Sequence, residues 1–445
     1  MPEIGSPQAG ALSPAKTARQ RSDTLTSIWM IIAVGMAVVT LVFRHRMPQP
    51  LWTMIHLVTL GVLSNGIFQW SWFFARSLAR LSADDKRARR HNIMRILVFN
   101  AFFAVLIASM WLGWMVATMI CATGIALIAA WHGAEMLSVL RERLASRFIV
   151  VVRYYVCSAS FLVLTALLAS FVTATMFSPT LPEALLAMRD RLTIAHAISG
   201  VGGWLALTIG GTAITLGPTI LRTRMSEGAV SAGVKVLLPW CLSLLIAISG
   251  ALLGLMPLVG GGILAAAACA IFGIVLPYAR VLAAKGPREY SAWSFLAGLT
   301  WMCVGVLALG IAVLFVATPA QVRALTVMWL PIIGIGGFAQ LFQGALSYLM
   351  PVVIGGGPSV VKIGIAIIDW HFPLRLSLRN NALLLQFFLY FAPESTLVNV
   401  LSLAGWLVVV ATFVIDVVVY VVTGITQARA RRARSEHLSE SRKAQ

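Results

Sequence analysis

The sequence predicts an all-α membrane protein, a bundle of about twelve transmembrane helices, and three observations carry that reading. Of its 445 residues, 59% are hydrophobic and only 11% charged, a balance outside that of soluble domains. Apolar segments recur at lengths near the roughly 20 residues that a bilayer core requires. Basic residues then fall mainly on one side of those segments, as the positive-inside rule demands.

In chain order the expected spans are 27–43, 51–75, 96–112, 115–139, 154–177, 193–217, 234–255, 258–284, 291–317, 325–353, 380–392 and 396–425. The third and fourth form one long apolar run, divided at "WLGW" (111–114), and the eleventh is short and ends at Pro393. Counts of eleven or thirteen spans stay open. With the N-terminus inside, 29 of the 34 Lys and Arg lie on inner pieces, and only Arg44, Arg46, Arg189, Arg191 and Arg323 lie outside. The expectation is therefore a multi-pass protein of a bacterial cytoplasmic membrane with both termini in the cytoplasm. Residues 1–25 read as a polar, disordered tail, 26–426 as the membrane domain and 427–445 as a basic tail.

The net charge of +19 follows from the same anchoring. Runs such as "DDKRARRH" (84–91) and "RARRAR" (429–434) sit beside span ends, where they suit the lipid bilayer and its anionic headgroups and not nucleic acid. No cleavable signal peptide and no sizeable water-soluble domain are expected. Cys121, Cys157, Cys241, Cys269 and Cys303 are spread singly through the spans, with no CxxC pair, so neither a thiolate zinc site nor a disulfide framework is indicated.

Three histidines lie inside spans: His56, His132 and His196. An ionisable residue at such a place is a functional candidate by default. The alternative is a neutral imidazole bonded to a neighbouring helix. His56 and His196 open the second and sixth spans, both roughly 5–10 Å below the outer boundary at 1.5 Å per residue. His132 lies about 25 Å down the fourth span by the same rise. At that depth Glu135 and Asp416 could join it in a proton-entry or structural cluster, with a loop arginine such as Arg153 as partner.

Positions three, four and seven beyond His196 are Ser199, Gly200 and Gly203, which share its helix face. A histidine above small residues leaves a slot for a flat macrocycle, which suits haem. The same pattern also serves close helix packing, and the two readings stay open.

Twelve spans with histidines opening the second and sixth resemble subunit I of the haem-copper oxidases. That family takes haem ligands from spans two and ten and copper ligands from spans six and seven. Here the seventh span, "VKVLLPWCLSLLIAISGALLGL", has no histidine pair and the tenth has no HxH. The resemblance therefore does not extend to oxygen reduction. At the matching depth the tenth span offers Met328 as a thioether ligand. The outer stretch "RHRMPQPLWTMIHL" also gathers His45, Met47 and Met54, without a repeated motif.

Longer strings carry a nearer resemblance: "HLVTLGVLSNGIFQWSWFFARSLAR" (56–80), "WHGAEMLSVLRERLASRFIVVVRYY" (131–155), "AHAISGVGGWLALTIGGTAITLGPTILRTRM" (195–225) and "LSYLMPVVIGGGPSVV" (346–361). They are similar to bacterial polytopic proteins labelled copper oxidases, and to NnrS-like haem- and copper-containing proteins. Many relatives carry a cupredoxin domain, and many have a histidine where this chain has Phe73. The resemblance implies a module that binds haem b, or copper, for electron transfer or nitrogen-oxide metabolism. His56 and His196 would be its ligands, and Gly200, Gly203 and Met328 would line the cofactor. Without a cupredoxin segment of its own, it would need a redox partner such as a separate cupredoxin or multicopper protein, and enzymatic activity alone is not expected.

Two other functions compete. A secondary transporter shares the twelve-span layout, and the tenth span carries a break at Pro331, Gly334, Gly336 and Gly337. The fourth span, its counterpart in a six-plus-six scheme, holds no proline and no coupling carboxylate is placed mid-membrane. A cofactor-free assembly or scaffold subunit is the third reading.

Overall fold

The computed structural model describes residues 28–443 except 29–30, 33–34, 37, 40–41, 44, 83–84, 179 and 283–285. Among the described residues the chain is all-helical. Ten helices are long and apolar enough to cross a membrane. The first nine are α1 (Pro50–Leu78), α2 (Arg87–Trp111), α3 (Met115–Glu142), α4 (Ile149–Phe177), α5 (Glu183–Ile220), α6 (Ala229–Leu253), α7 (Met256–Leu282), α8 (Tyr290–Leu314) and α9 (Pro319–Ile354). Two shorter helices follow, α10 (Pro358–Ile368) and α11 (Phe372–Leu389), and then the tenth long one, α12 (Thr396–Lys443).

These helices take up the second to tenth and the twelfth expected spans. The expected first span, 27–43, and the tail 1–25 fall largely or wholly outside the described residues. The expected basic tail 427–445 is, as far as Lys443, a straight continuation of α12.

Local chemistry sets the boundaries. The apolar run of the third and fourth spans does divide at "WLGW": α2 stops at Trp111, Gly113 takes φ +70°, and α3 starts at Met115. A left-handed residue there costs glycine nothing and ends the helix. At the start of α9, Thr318 accepts from the Gln321 amide at 3.3 Å and the Gln321 side chain accepts from the Thr318 amide at 3.0 Å. This reciprocal capping, followed by Pro319, defines that terminus.

"GGGP" (355–358) is the turn that closes α9. Gly355, Gly356 and Gly357 have φ of +71°, +102° and +87°, a run that no side-chain-bearing residue tolerates. Their carbonyls are not left bare: Gln427 donates to the Gly355 oxygen at 3.2 Å and Arg434 to the Gly356 oxygen at 2.9 Å.

In lipid, helices associate through packing and polar contacts and not through a hydrophobic drive. Asn65 and Asn100 exchange two amide bonds, 3.0 and 2.7 Å, between α1 and α2. Trp204 on α5 donates to Ser64 on α1 at 2.8 Å. Gly344 on α9 lets the backbone of α8 approach so closely that a Cβ there would stand 2.7 Å from the Phe295 amide nitrogen.

Helices α5 to α9 form a ring: each packs on the next, and α9 returns to α5. Helices α1, α5 and α9 also share a feature. Each contains a π-helical stretch, at Leu57–Ser64, Ile198–Ala206 and Ile332–Ala339. The second and third begin at the same point of a shared string, "ISGVGGW" against "IIGIGGF". Shorter π-helical stretches also occur in α2 (Arg87–His91) and α7 (Ile271–Val275), so the link between α5 and α9, four helices apart, rests on the shared string.

The eleventh expected span, 380–392, is corrected. The helix at that place is α11, Phe372–Leu389, and it starts eight residues earlier with Arg375 and Arg379 buried in it. Hydropathy drops at the arginines, which is why only the apolar half was visible. Helices α10 and α11 lie antiparallel along α12 without losing step: Ser359 meets Arg434, Gly364 meets Gln427, Arg375 meets Asp416 and Gln386 meets Ser402. The break between them, with His371 left-handed, is sealed by Arg375, which donates to the Trp370 carbonyl at 3.1 Å and to the Ile368 carbonyl.

Candidate functional site

His56 and His196 stand within one turn of the π-helical stretches of α1 and α5. Their ring centroids are 6.3 Å apart with planes at 24°. His56 bonds through Nδ1 to the Trp52 carbonyl at 2.8 Å, and His196 through Nδ1 to the Thr165 carbonyl at 2.9 Å. A carbonyl only accepts, so each Nδ1 carries the proton and each Nε2 keeps its lone pair. Trp52 stacks on the His56 ring at 4.2 Å and limits its rotation. Both rings are half-buried.

This is the arrangement that orients imidazole ligands, with the distal nitrogen pinned by a backbone carbonyl. A metal ion bound linearly between two Nε2 atoms would keep the ring centroids about 6 Å apart, given metal–nitrogen bonds of about 2.0–2.1 Å. Among the described residues, no group of three or more His, Cys, Asp or Glu side chains could hold a metal ion.

The expected glycine bed is corrected. A Cβ on Gly200 would stand 3.1 Å from the Thr165 methyl, and one on Gly203 would stand 2.3 Å from the Phe161 ring. Ser199 on the same face donates to the Phe161 carbonyl at 2.9 Å. That face makes room for α4 and not for a macrocycle. A bare metal ion between the imidazoles needs no repacking there; a haem resting on that face requires Thr165 and Phe161 to move.

Met328 is half-buried against the core on α9. Neither imidazole's hydrogen bond reaches α9. The shared π-helical string aligns Gly200 with Gly334, which puts Leu330 and not Met328 opposite His196 in that alignment.

The expected inner cluster of His132, Glu135 and Asp416 divides into two sites with different partners. His132 is wholly buried among Phe68, Trp72 and Trp204, with ring contacts at 5.0, 6.3 and 6.3 Å. Its Nε2 meets the Ser71 hydroxyl at 3.4 Å and its Nδ1 has no partner. Glu135, one turn on, accepts from His91 at 2.6 Å and from Trp131 at 3.0 Å, and pairs with Arg95. Arg95 is buried between the Trp72 and Trp131 rings, 5.1 and 5.2 Å from their centroids.

Asp416 instead takes Arg375 on one carboxylate oxygen and Arg379 on the other, and accepts from the Tyr290 hydroxyl at 2.7 Å. Gln343 accepts from Arg379 at 2.6 Å. The arginines that neutralise the buried carboxylates are thus Arg95, Arg375 and Arg379, and not Arg153. Counting had assigned all three to loops. Helical spacing carried the missed signal: Arg95 shares a buried stripe with Phe99 and Phe103, and Arg375 and Arg379 share one with Leu376 and Leu383.

No protein-family model matches the chain, and no curated protein matches it. The reading of the site therefore rests on its own geometry.

Proposed function

We propose that this integral membrane protein holds a redox metal centre between α1 and α5, with His56 and His196 as its paired ligands: copper with the packing as it stands, or haem iron where Thr165 and Phe161 give way. The observation that supports this is the pair of imidazoles 6.3 Å apart, each with Nδ1 tied to a carbonyl. Half-buried imidazoles with free Nε2 atoms suit iron and copper alike. The string shared by α5 and α9, four helices apart, supports an arrangement like that of haem-copper oxidase subunit I. π-Helical stretches often mark functional positions, and those of α1 and α5 stand beside His56 and His196.

The basic ends of the helices would face the cytoplasm of a bacterial cell, which places the histidine pair near the opposite face. A centre there would exchange electrons with a separate redox protein, a cupredoxin or multicopper protein among them, in respiration or nitrogen-oxide metabolism. The metal would supply the electron; this chain's residues would hold it, fix its ligand tautomers and keep it partly out of water.

The test is a reduced-minus-oxidised absorption spectrum of the purified protein, with metal analysis on the same sample. A Soret and α-band pair lost in His56→Ala assigns haem. Copper near one per chain without such bands assigns a copper ion. Neither, after expression with both supplied, overturns the proposal.

A further inference from the structure

The ring α5–α9 lines a half-open cavity of about 190 Å³. It touches α5 from Ile194 to Ala213 and α9 from Val322 to Leu341, about 28 Å along each helix at 1.5 Å per residue. That is close to the ~30 Å hydrocarbon thickness of a bilayer. Its walls are almost entirely aliphatic and aromatic carbon; Thr326, at one end, already donates its hydroxyl to the Val322 carbonyl at 2.8 Å. Water entering such a space finds no partners, and apolar cavities of this kind stay dry and take apolar guests.

Shape decides among apolar guests. At about 10–15 Å³ for each water-sized group, the cavity holds on the order of 13–19 such groups. Spread along about 28 Å, they fall about 1.5–2.2 Å apart, too close for separate molecules and near the spacing of groups bonded in a chain. A macrocycle is too wide for this, and a small gas molecule leaves most of the length empty. At one end, beside Ala213, whose carbonyl accepts from the Tyr278 hydroxyl, the cavity meets a second apolar space lined by Leu216, Phe342 and Leu349. At the other, Asp190 on α5 and Arg323 on α9 pair at 2.9 Å, half-exposed, within about a turn of Ile194 and Val322. The first end is apolar and the other is charged.

We propose that the ring binds a single extended hydrocarbon tail of a membrane lipid, with its polar head beside Asp190 and Arg323. The tail belongs to a phospholipid or to an isoprenoid quinone, which share this chemistry. The site is separate from the histidine pair and stands whether or not a metal is bound there.

Native mass spectrometry of the detergent-purified protein, followed by solvent extraction, tests it. One bound tail-bearing molecule per chain is expected, and its mass distinguishes a phosphorus-containing lipid from a quinone. Ala267→Phe, which fills the cavity, should lower occupancy at least tenfold. Leu238→Phe, on the exposed face of α6, should leave occupancy unchanged, as should His56→Ala. If Ala267→Phe does not fold, delipidated wild type is titrated with a brominated-chain phosphatidylcholine. Fluorescence quenching that shrinks in Trp240→Phe supports the site, because Trp240 lines it. No retained molecule and no such quenching, equal occupancy in Ala267→Phe, or a haem spectrum lost in Ala267→Phe would each overturn the proposal.

Discussion

Arg379 on α11 and Asp416 on α12 form an ion pair in which neither side chain is exposed. Arg375 takes the other carboxylate oxygen, and Tyr290 adds a hydrogen bond from α8. Removing one member of a buried pair strands the others, at a cost of about 3–5 kcal/mol. Asp416→Asn should therefore destabilise the protein by that order, read by chemical or thermal unfolding in detergent. The triple variant Arg375→Met, Arg379→Met, Asp416→Leu removes all the charges and should recover most of the loss. An Asp416→Asn protein as stable as the wild type would show that the pair does not hold α11 to α12.

The histidines on α1 and α5 should behave differently from the one on α3. His56→Ala and His196→Ala should each bring bound metal to background without unfolding the protein. His132→Gln should keep the metal and lose stability by about 1–3 kcal/mol, because its ring fills an aromatic core position. Metal stoichiometry and unfolding midpoints on the same preparations separate the two effects. Metal lost only in His132→Gln would reverse the assignment.

Glycines of one sequence type should respond with opposite signs. Gly203→Ala drives a methyl into Phe161, and overpacking of this kind costs about 1–3 kcal/mol. Gly261 has nothing within 4 Å of its would-be Cβ. Gly261→Ala should be neutral, or stabilising by up to about 1 kcal/mol, through helix propensity. A melt of the two variants side by side checks this.

Asp85, in the loop between α1 and α2, receives Arg87 at 2.7 Å, and that bond holds its carboxyl below the usual range. A depressed folded-state value stabilises above the unfolded pKa, about 3.9, and the contribution fades as pH falls through the folded value. Being near the surface, the pair contributes less than about 1 kcal/mol. Below about pH 4 the wild type and Asp85→Asn should converge in stability, and above it the wild type should lead. A constant difference across that window would exclude the pair as its source.

Patterns of unbroken hydropathy were legible in the sequence. The division at Gly113, the capping at Thr318 and the turn at Gly355–Gly357 all follow from local backbone preferences, which a sequence states directly. The depths of His56 and His196 came from counting residues, and the structure brings the two rings together. The face holding Gly200 and Gly203 was identified, but its occupant was not, because close helix packing and a ligand bed ask for the same small residues. Arg375 and Arg379 hid α11's first half because their partner, Asp416, lies on another helix. Pairing across helices neutralises charge in space, and a window along the chain cannot see it.

The order of synthesis gives the α11–α12 pairing a second meaning. A ribosome makes both arginines of α11 before it reaches Asp416. Until then each arginine carries an insertion penalty of about 2.5–3.5 kcal/mol at a helix centre, with no carboxylate to offset it. α11 should therefore wait at the membrane surface while α12 is made, and the two should enter as a hairpin. Truncation ahead of residue 416 should leave residues 372–389 reachable by water-soluble labelling reagents and the earlier helices in place. Asp416 would thus act as the latch that admits α11 to the membrane.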